Sequence, residues 1–357
     1  MGSATLYQLA RRGVPAIGVD RFSPPHTQGS THGQSRIIRE AYYEHPLYVP
    51  LVRRAYDAWR DLEERSGVTV YRKTGGLMLG REDGPVVSGS RASAVEHGIS
   101  HEMLTAAEVR SRCPGFTPPE DFVGLWEDRA GLLFPEAAVA AHLALAQRLG
   151  AEVRNQTRVL GWSASAAGIR VETSGGQLKG RLLVLSAGPW IGSLLGDRGT
   201  VFQVERQVSH WFAPLRDAGD WPVALWEHRE GSLFYTIPDG KARVKVGIHH
   251  EGETVDPETV NRETTEAEER QARSLLAQYQ PAANGPLLDS AVCLYTNTPD
   301  RHFVLDWHQD HDNVLVVSPC SGHGFKFSSA IGEAVADLVT TGTSAFDLGP
   351  FSISRFR

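Results

Sequence analysis

Cysteine is scarce in this chain. Its 357 residues hold three, Cys113, Cys293 and Cys320, unevenly spaced and with no Cys-x-x-Cys. That argues against a disulfide framework or a cysteine-bound zinc and for a reducing cytoplasm. Cys113, beside a proline turn, reads as an inert packed thiol. Basic tracts are missing too. With a net charge of −6 and a pI near 6.2, nucleic acid and anionic membrane are poor partners. No apolar run approaches the roughly 20 residues of a membrane-spanning helix. The first residues do not read as a signal peptide, and Leu6 stands where myristoylation needs Ser or Thr. Fourteen histidines include no His-Glu-x-x-His and no Cys/His quartet. Asp306, His308 and His311 read as a polar turn, so no metal is expected. Neither Gly-x-Ser-x-Gly nor a P-loop occurs.

What is present is an ordinary globular composition, 41% apolar and 22% charged, in a chain long enough for two cores. Near the C-terminus, Val314-Leu315-Val316-Val317 leads into Ser321-Gly322-His323-Gly324-Phe325-Lys326-Phe327. Ile331, Val335, Leu338 and Val339 then recur at helical spacing, with Gly342 as a C-cap. Strand, glycine turn and helix place free N–H groups and a positive helix end around Lys326. A tight turn with a solvated lysine is the structural alternative. At the other end, Leu6, Leu9, Ala10 and Gly13 predict a capped helix, and Val14 to Val19 a buried strand ending in Asp20. Helix, strand and terminal acid form the second half of a dinucleotide-binding βαβ unit. Its first strand and first two glycines are missing. Gly2 would be the third glycine, and Asp20 would grip a ribose hydroxyl unless it is merely a solvated strand end.

Arg36 and Arg39 sit among apolar residues, on one face if helical and on opposite faces if extended. Such arginines mark anion sites or lie on a mixed surface. Gly175-Gly176 turns a hairpin, and Ser186-Ala187-Gly188-Pro189-Trp190 is a small-residue turn that lets backbone approach a ligand. Between Arg243 and His249 the pattern alternates. Val244, Val246 and Ile248 face the core, and Lys245 and His249 share the other face, about 13 Å apart. That second face is either solvent or the wall of a cleft. Without a long repeat or linker, the chain reads as two interwoven domains.

Three blocks carry a resemblance: His32-Gly33 through Arg36-Ile37-Ile38-Arg39, Ala291-Val292-Cys293 with Tyr295, and Ser321 to Phe327. They occur in the order seen in the monomeric sarcosine oxidase and N-methyl-tryptophan oxidase family, within the flavin-dependent D-amino-acid-oxidase-like superfamily. The likeness runs over nearly the whole chain, including Tyr48-Val49-Pro50-Leu51 and Phe351-Ser352-Ile353-Ser354. It implies an α/β fold, an FAD-binding Rossmann-like domain interwoven with a β-rich substrate domain. Residues 1–75, 136–205 and 284–357 would form the first, lacking its opening strand, and residues 76–135 and 206–283 the second.

The resemblance further implies FAD tethered by a thioether from Cys293 to the flavin 8α-methyl. Gly2, Asp20 and Gly188 would help hold the cofactor, His32 and Arg36 would lie near the isoalloxazine, and the turn Gly322, His323, Gly324 and Phe325 would face its N1/O2 edge. Arg39 and Lys326 would bind the substrate carboxylate. Lys245 would activate O2, with Arg36, Tyr235 and His249 completing the catalytic set. A secondary amine would be oxidised by O2 to an imine that hydrolyses, giving glycine, formaldehyde and H2O2 from sarcosine. N-methyl-L-tryptophan or a cyclic imino acid is the alternative substrate. A cytoplasmic monomer acting on a small amine is implied. Because Met1 falls inside the glycine motif, the expectation is a misassigned start or a shortened chain; the opposing reading is a non-catalytic relic unable to hold FAD. Trp226, if it faces the pocket, would favour small substrates.

Overall fold

A computed structural model describes residues 1–240 and 242–356. Its first element follows the predicted spacing. Gly2–Arg11 is helical and buries Leu6, Tyr7 and Leu9 against the helices Pro135–Arg148 and Ser328–Thr341. Gly13, at φ +71°, takes the left-handed position that ends the turn. The strand that follows is shorter than its apolar run, Ile17–Val19, and pairs in parallel with Glu152–Arg154. Asp20 comes next, its N–H bonded to the Arg154 carbonyl at 3.0 Å.

A second parallel piece joins Leu183–Leu185 to His311–Ser318, which pairs antiparallel with Val304–His308. The expected Rossmann-like sheet is therefore in two parts. Ile17–Val19 and Leu183–Leu185 each hydrogen-bond to a single strand, and every residue of both lines one shared cavity.

The largest sheet has eight strands. From one edge they are Leu287–Asn297, Gln203–Phe212, Val244–His249, Ser232–Pro238, Val223–Arg229, Gly76–Arg81, Phe122–Glu127 and Glu102–Thr105. Alternation gives this sheet two working faces. Trp226, Phe234, Val244 and Val246 join Phe116, Trp221 and Tyr279 in one hydrophobic layer. Their neighbours Leu225, Tyr235 and Lys245 line the cavity on the other side. Trp226 thus corrects the sequence expectation. It is fully buried, stacked on Phe234, and Leu225 shapes the cavity instead.

A small sheet pairs Arg36–Ile38 with Gly131–Leu133, so the arginine segment begins extended and Arg39 follows immediately. The glycine turn ends in a short 3-10 turn, Phe325–Phe327, which runs into Ser328–Thr341, closed by Gly342 at φ +77°. Among the described residues, no helix is long and apolar enough to cross a membrane.

Candidate active site

The shared cavity has a volume of about 1400 Å³. Lys245 enters it from the middle of the large sheet and is only 2% exposed. Its Nζ donates to the carbonyls of Gly33 at 2.9 Å and Ser35 at 3.2 Å and lies 5.3 Å from the Trp211 ring centroid. Burial, then the neighbouring Arg36, lowers the Lys245 ammonium to a pKa of about 7. Arg36 donates to the carbonyls of Ser30 and Ser35, each at 2.8 Å. Its Nη2 also stands 3.7 Å from Cys293 Sγ. Cys293 is buried in the edge strand Leu287–Asn297, opposite Gln207, and lines the cavity. His32 lies just behind this wall. Burial first, and Arg36 and Lys245 next, hold its imidazole down to about 3, so it is neutral among cations, its Nε2 without a partner.

The glycine turn is fixed by close approach. Gly322, at φ +79°, would put a Cβ 2.6 Å from the Tyr295 ring and 2.8 Å from His249, and a Cβ on Gly324 would overlap the Pro319 carbonyl. Lys326, buried at the end of this turn, donates to the His323 carbonyl at 2.9 Å and the Tyr42 hydroxyl at 3.3 Å. Burial and then Arg39 bring its ammonium down to about 7. His323 turns both ring nitrogens to protein partners, Nδ1 to Tyr42 Oη at 2.7 Å and Nε2 to the Arg301 carbonyl at 3.1 Å. A carbonyl only accepts, so Nε2 carries the proton and Tyr42 donates to Nδ1.

Arg39, 3% exposed, lies over Tyr42 and Tyr43, its Cζ 4.4 and 4.8 Å from their ring centroids. It donates from Nη1 to the Ala41 carbonyl and from Nη2 to Glu44 Oε2, both at 2.6 Å. Glu44 also lines the cavity. Burial alone would raise its pKa, but Arg39, with His323 and Lys326, holds it below the usual carboxylate range. Sequence reasoning missed Glu44. Nothing in Tyr42-Tyr43-Glu44-His45 marks it, because its partner is defined by a bend rather than a periodicity.

His249 and Tyr235 complete this wall. His249 Nδ1 meets Tyr295 Oη at 3.1 Å, and burial drives its pKa far below the ordinary value, leaving it neutral. Tyr235 Oη pairs with Ser209 Oγ at 3.1 Å. Gly2, Asp20, Gly188 and Phe325 line the same cavity. Asp20 accepts from the Phe22 N–H at 2.8 Å and faces His26 Nε2 at 3.4 Å. Gly188, at φ +54°, opens the 3-10 turn Gly188–Trp190. Of the site residues expected from sequence, only His32 stands outside the cavity lining. Among the described residues, no group of three or more metal-ligating side chains occurs.

The donor set fits a flavin dinucleotide. Ser30 Oγ and Ser35 Oγ, on residues that line the cavity, are buried and without hydrogen-bond partners, as groups awaiting a polar ligand are. Gly322 and Gly324 are required by the close packing of this turn on Tyr295, His249 and the Pro319 carbonyl, and the Cys293 thiol stands beside the Arg36 guanidinium on the same cavity.

Comparison with known proteins agrees. The profile of the FAD dependent oxidoreductase (DAO) family matches residues 1–338. The monomeric sarcosine oxidase of Streptomyces avermitilis is 41% identical over 99% of this chain and 95% of its own length. The N-methyl-L-tryptophan oxidase of Citrobacter koseri is 33% identical over 100% of this chain and 96% of its own. In fold, the chain resembles the L-proline dehydrogenase of P. horikoshii, with a TM-score of 0.86 at 21% identity, covering 99% of this chain and 94% of that one. The chain belongs to the FAD dependent oxidoreductase family.

Proposed function

We propose that this chain oxidises N-methyl amino acids, sarcosine foremost, with O2 as acceptor, yielding an amino acid, formaldehyde and H2O2. The observation that carries the proposal is the gathering of Arg39 and Lys326 on the same cavity as Lys245 and Cys293. FAD, joined through Cys293, supplies the two-electron acceptor. Arg36 Nη2 stands 3.7 Å from the sulfur and fixes its place at the cavity wall. Arg39 and Lys326 bind the carboxylate, the guanidinium fixing direction and the ammonium adding charge. Glu44 must release Arg39 for this to happen. Neutral His249, beside the hydroxyl of Tyr295, adds no charge to this wall, so the amine is favoured in its neutral, reactive form. Lys245 in its protonated form sets a positive charge where O2 gains electrons. In this reading the chain works as a cytoplasmic monomer, with residues 76–135 and 206–283 closing over the cofactor-binding remainder.

A larger substrate such as N-methyl-L-tryptophan is the second reading, and it gains support from Leu225, not Trp226, lining the cavity. Peroxide release over a panel of sarcosine, N-methyl-L-tryptophan and cyclic imino acids tests both. Absence of turnover with sarcosine ends the first reading.

A further inference from the structure

The loop that carries Arg39 is gripped from behind by a group that the chemistry above does not use. Glu127, at the end of the strand Phe122–Glu127, is 1% exposed. Its carboxylate takes three hydrogen bonds from backbone: Glu40 N–H at 2.7 and 2.9 Å, and Ala41 N–H at 2.8 Å. A buried carboxylate held by amides alone is costly to the fold. Burial pushes Glu127 up to about 7, with the Ala41 and Glu40 amides and then Arg39 opposing, and the Glu40 carboxylate adding to the rise. Glu40 is itself committed elsewhere, to Arg53 and to Arg129 at 3.1 Å.

The two gripped amides directly follow Arg39 in the chain. The Ala41 unit that gives its N–H to Glu127 gives its carbonyl to Arg39 Nη1 at 2.6 Å. The guanidinium is thus steadied by a residue that Glu127 holds. We propose that Glu127 is a positioning residue for the carboxylate-binding arginine, clamping residues 40–41 so that Arg39 stays aimed into the cavity when Glu44 lets go. The inference rests on reading Arg39 as the substrate-carboxylate anchor. It also explains the retention of a charge that an apolar side chain would replace at lower cost.

The test uses the holoenzyme, E127Q and an R39A control, with two probes besides sarcosine. Methoxyacetate is a non-oxidisable ether isostere of sarcosine, read by calorimetry, and sarcosinamide lacks the carboxylate. In E127Q one oxygen becomes an NH2 facing the amides. The expected result is a roughly tenfold weaker binding of methoxyacetate and a similar rise in KM for sarcosine. kcat for sarcosine and kcat/KM for sarcosinamide stay near the wild-type values. Equal losses on sarcosine and sarcosinamide, or no loss on either, overturn the proposal. If E127Q fails to fold, E127D keeps the charge but shortens its reach, and the same selectivity is required of it. R39A leaving methoxyacetate binding intact overturns the anchor reading itself, whereas R39A weakening it while E127Q does not overturns the clamp alone.

Discussion

Arg39 Nη2 and Glu44 Oε2 stand 2.6 Å apart, so the guanidinium proposed to receive a substrate carboxylate already holds one from its own chain. E44Q removes that competitor and leaves Arg39 buried without a counter-charge. Breaking a buried pair from one side costs about 3–5 kcal/mol, so the ligand-free variant unfolds at a lower temperature. Methoxyacetate restores the midpoint and binds several-fold more tightly than to wild type. Thermal unfolding with and without the ligand checks this, and a midpoint that ignores the ligand refutes it.

The two buried lysines make the ligand-free protein sensitive to pH in a stated direction. Both ammonium groups are drawn from 10.5 to about 7, burial being the main cause. Between pH 7 and 10.5 the unfolded chain binds more protons at these sites, so stability rises with pH across that window. K245M and K326M each flatten the rise. Urea unfolding at pH 7, 8, 9 and 10 measures the slope.

A carboxylate arriving beside Lys326 favours its charged form. At pH 8 binding of methoxyacetate therefore takes up a fraction of a proton, which K326M abolishes. Calorimetry in two buffers of different ionisation enthalpy reads the uptake directly.

K245M separates the two halves of the reaction. Loss of a preorganised charge at the site of electron gain costs on the order of 10²–10³-fold. The loss falls on reoxidation by O2, while anaerobic reduction by substrate changes little. Stopped-flow absorbance of the flavin resolves both steps, and unaltered O2 reactivity contradicts the assigned role.

The covalent link is tested on the denatured protein. Wild type retains its yellow absorbance after acid precipitation, and C293S releases it to the supernatant. Release from wild type would remove the thioether from the mechanism.

Much of this site was legible because strands have period two. The alternation Arg243 to His249 placed Lys245 and His249 opposite Val244 and Val246, and the fold keeps that division. Whether that face met solvent depended on the carbonyls of Gly33 and Ser35, some two hundred residues earlier, which cover Lys245. For Trp226 the residue type was legible but the parity was not, since a one-residue ambiguity in register exchanges faces. Glu44 and Glu127 left no signal at all. Each is a single acid whose meaning comes from a partner brought near by the bend after Arg39.

The two-faced sheet sets rules for how this enzyme can change. Leu225, beside Tyr235 and Lys245 on the cavity face, can be exchanged to reshape the chamber while the Trp226–Phe234 layer stays intact. An insertion or deletion of one residue in those strands has no such freedom. It would carry a lysine into the aromatic layer and an indole into the space for the flavin. Diversification of substrate is therefore open to substitution along these strands, and length change is confined to the loops that join them.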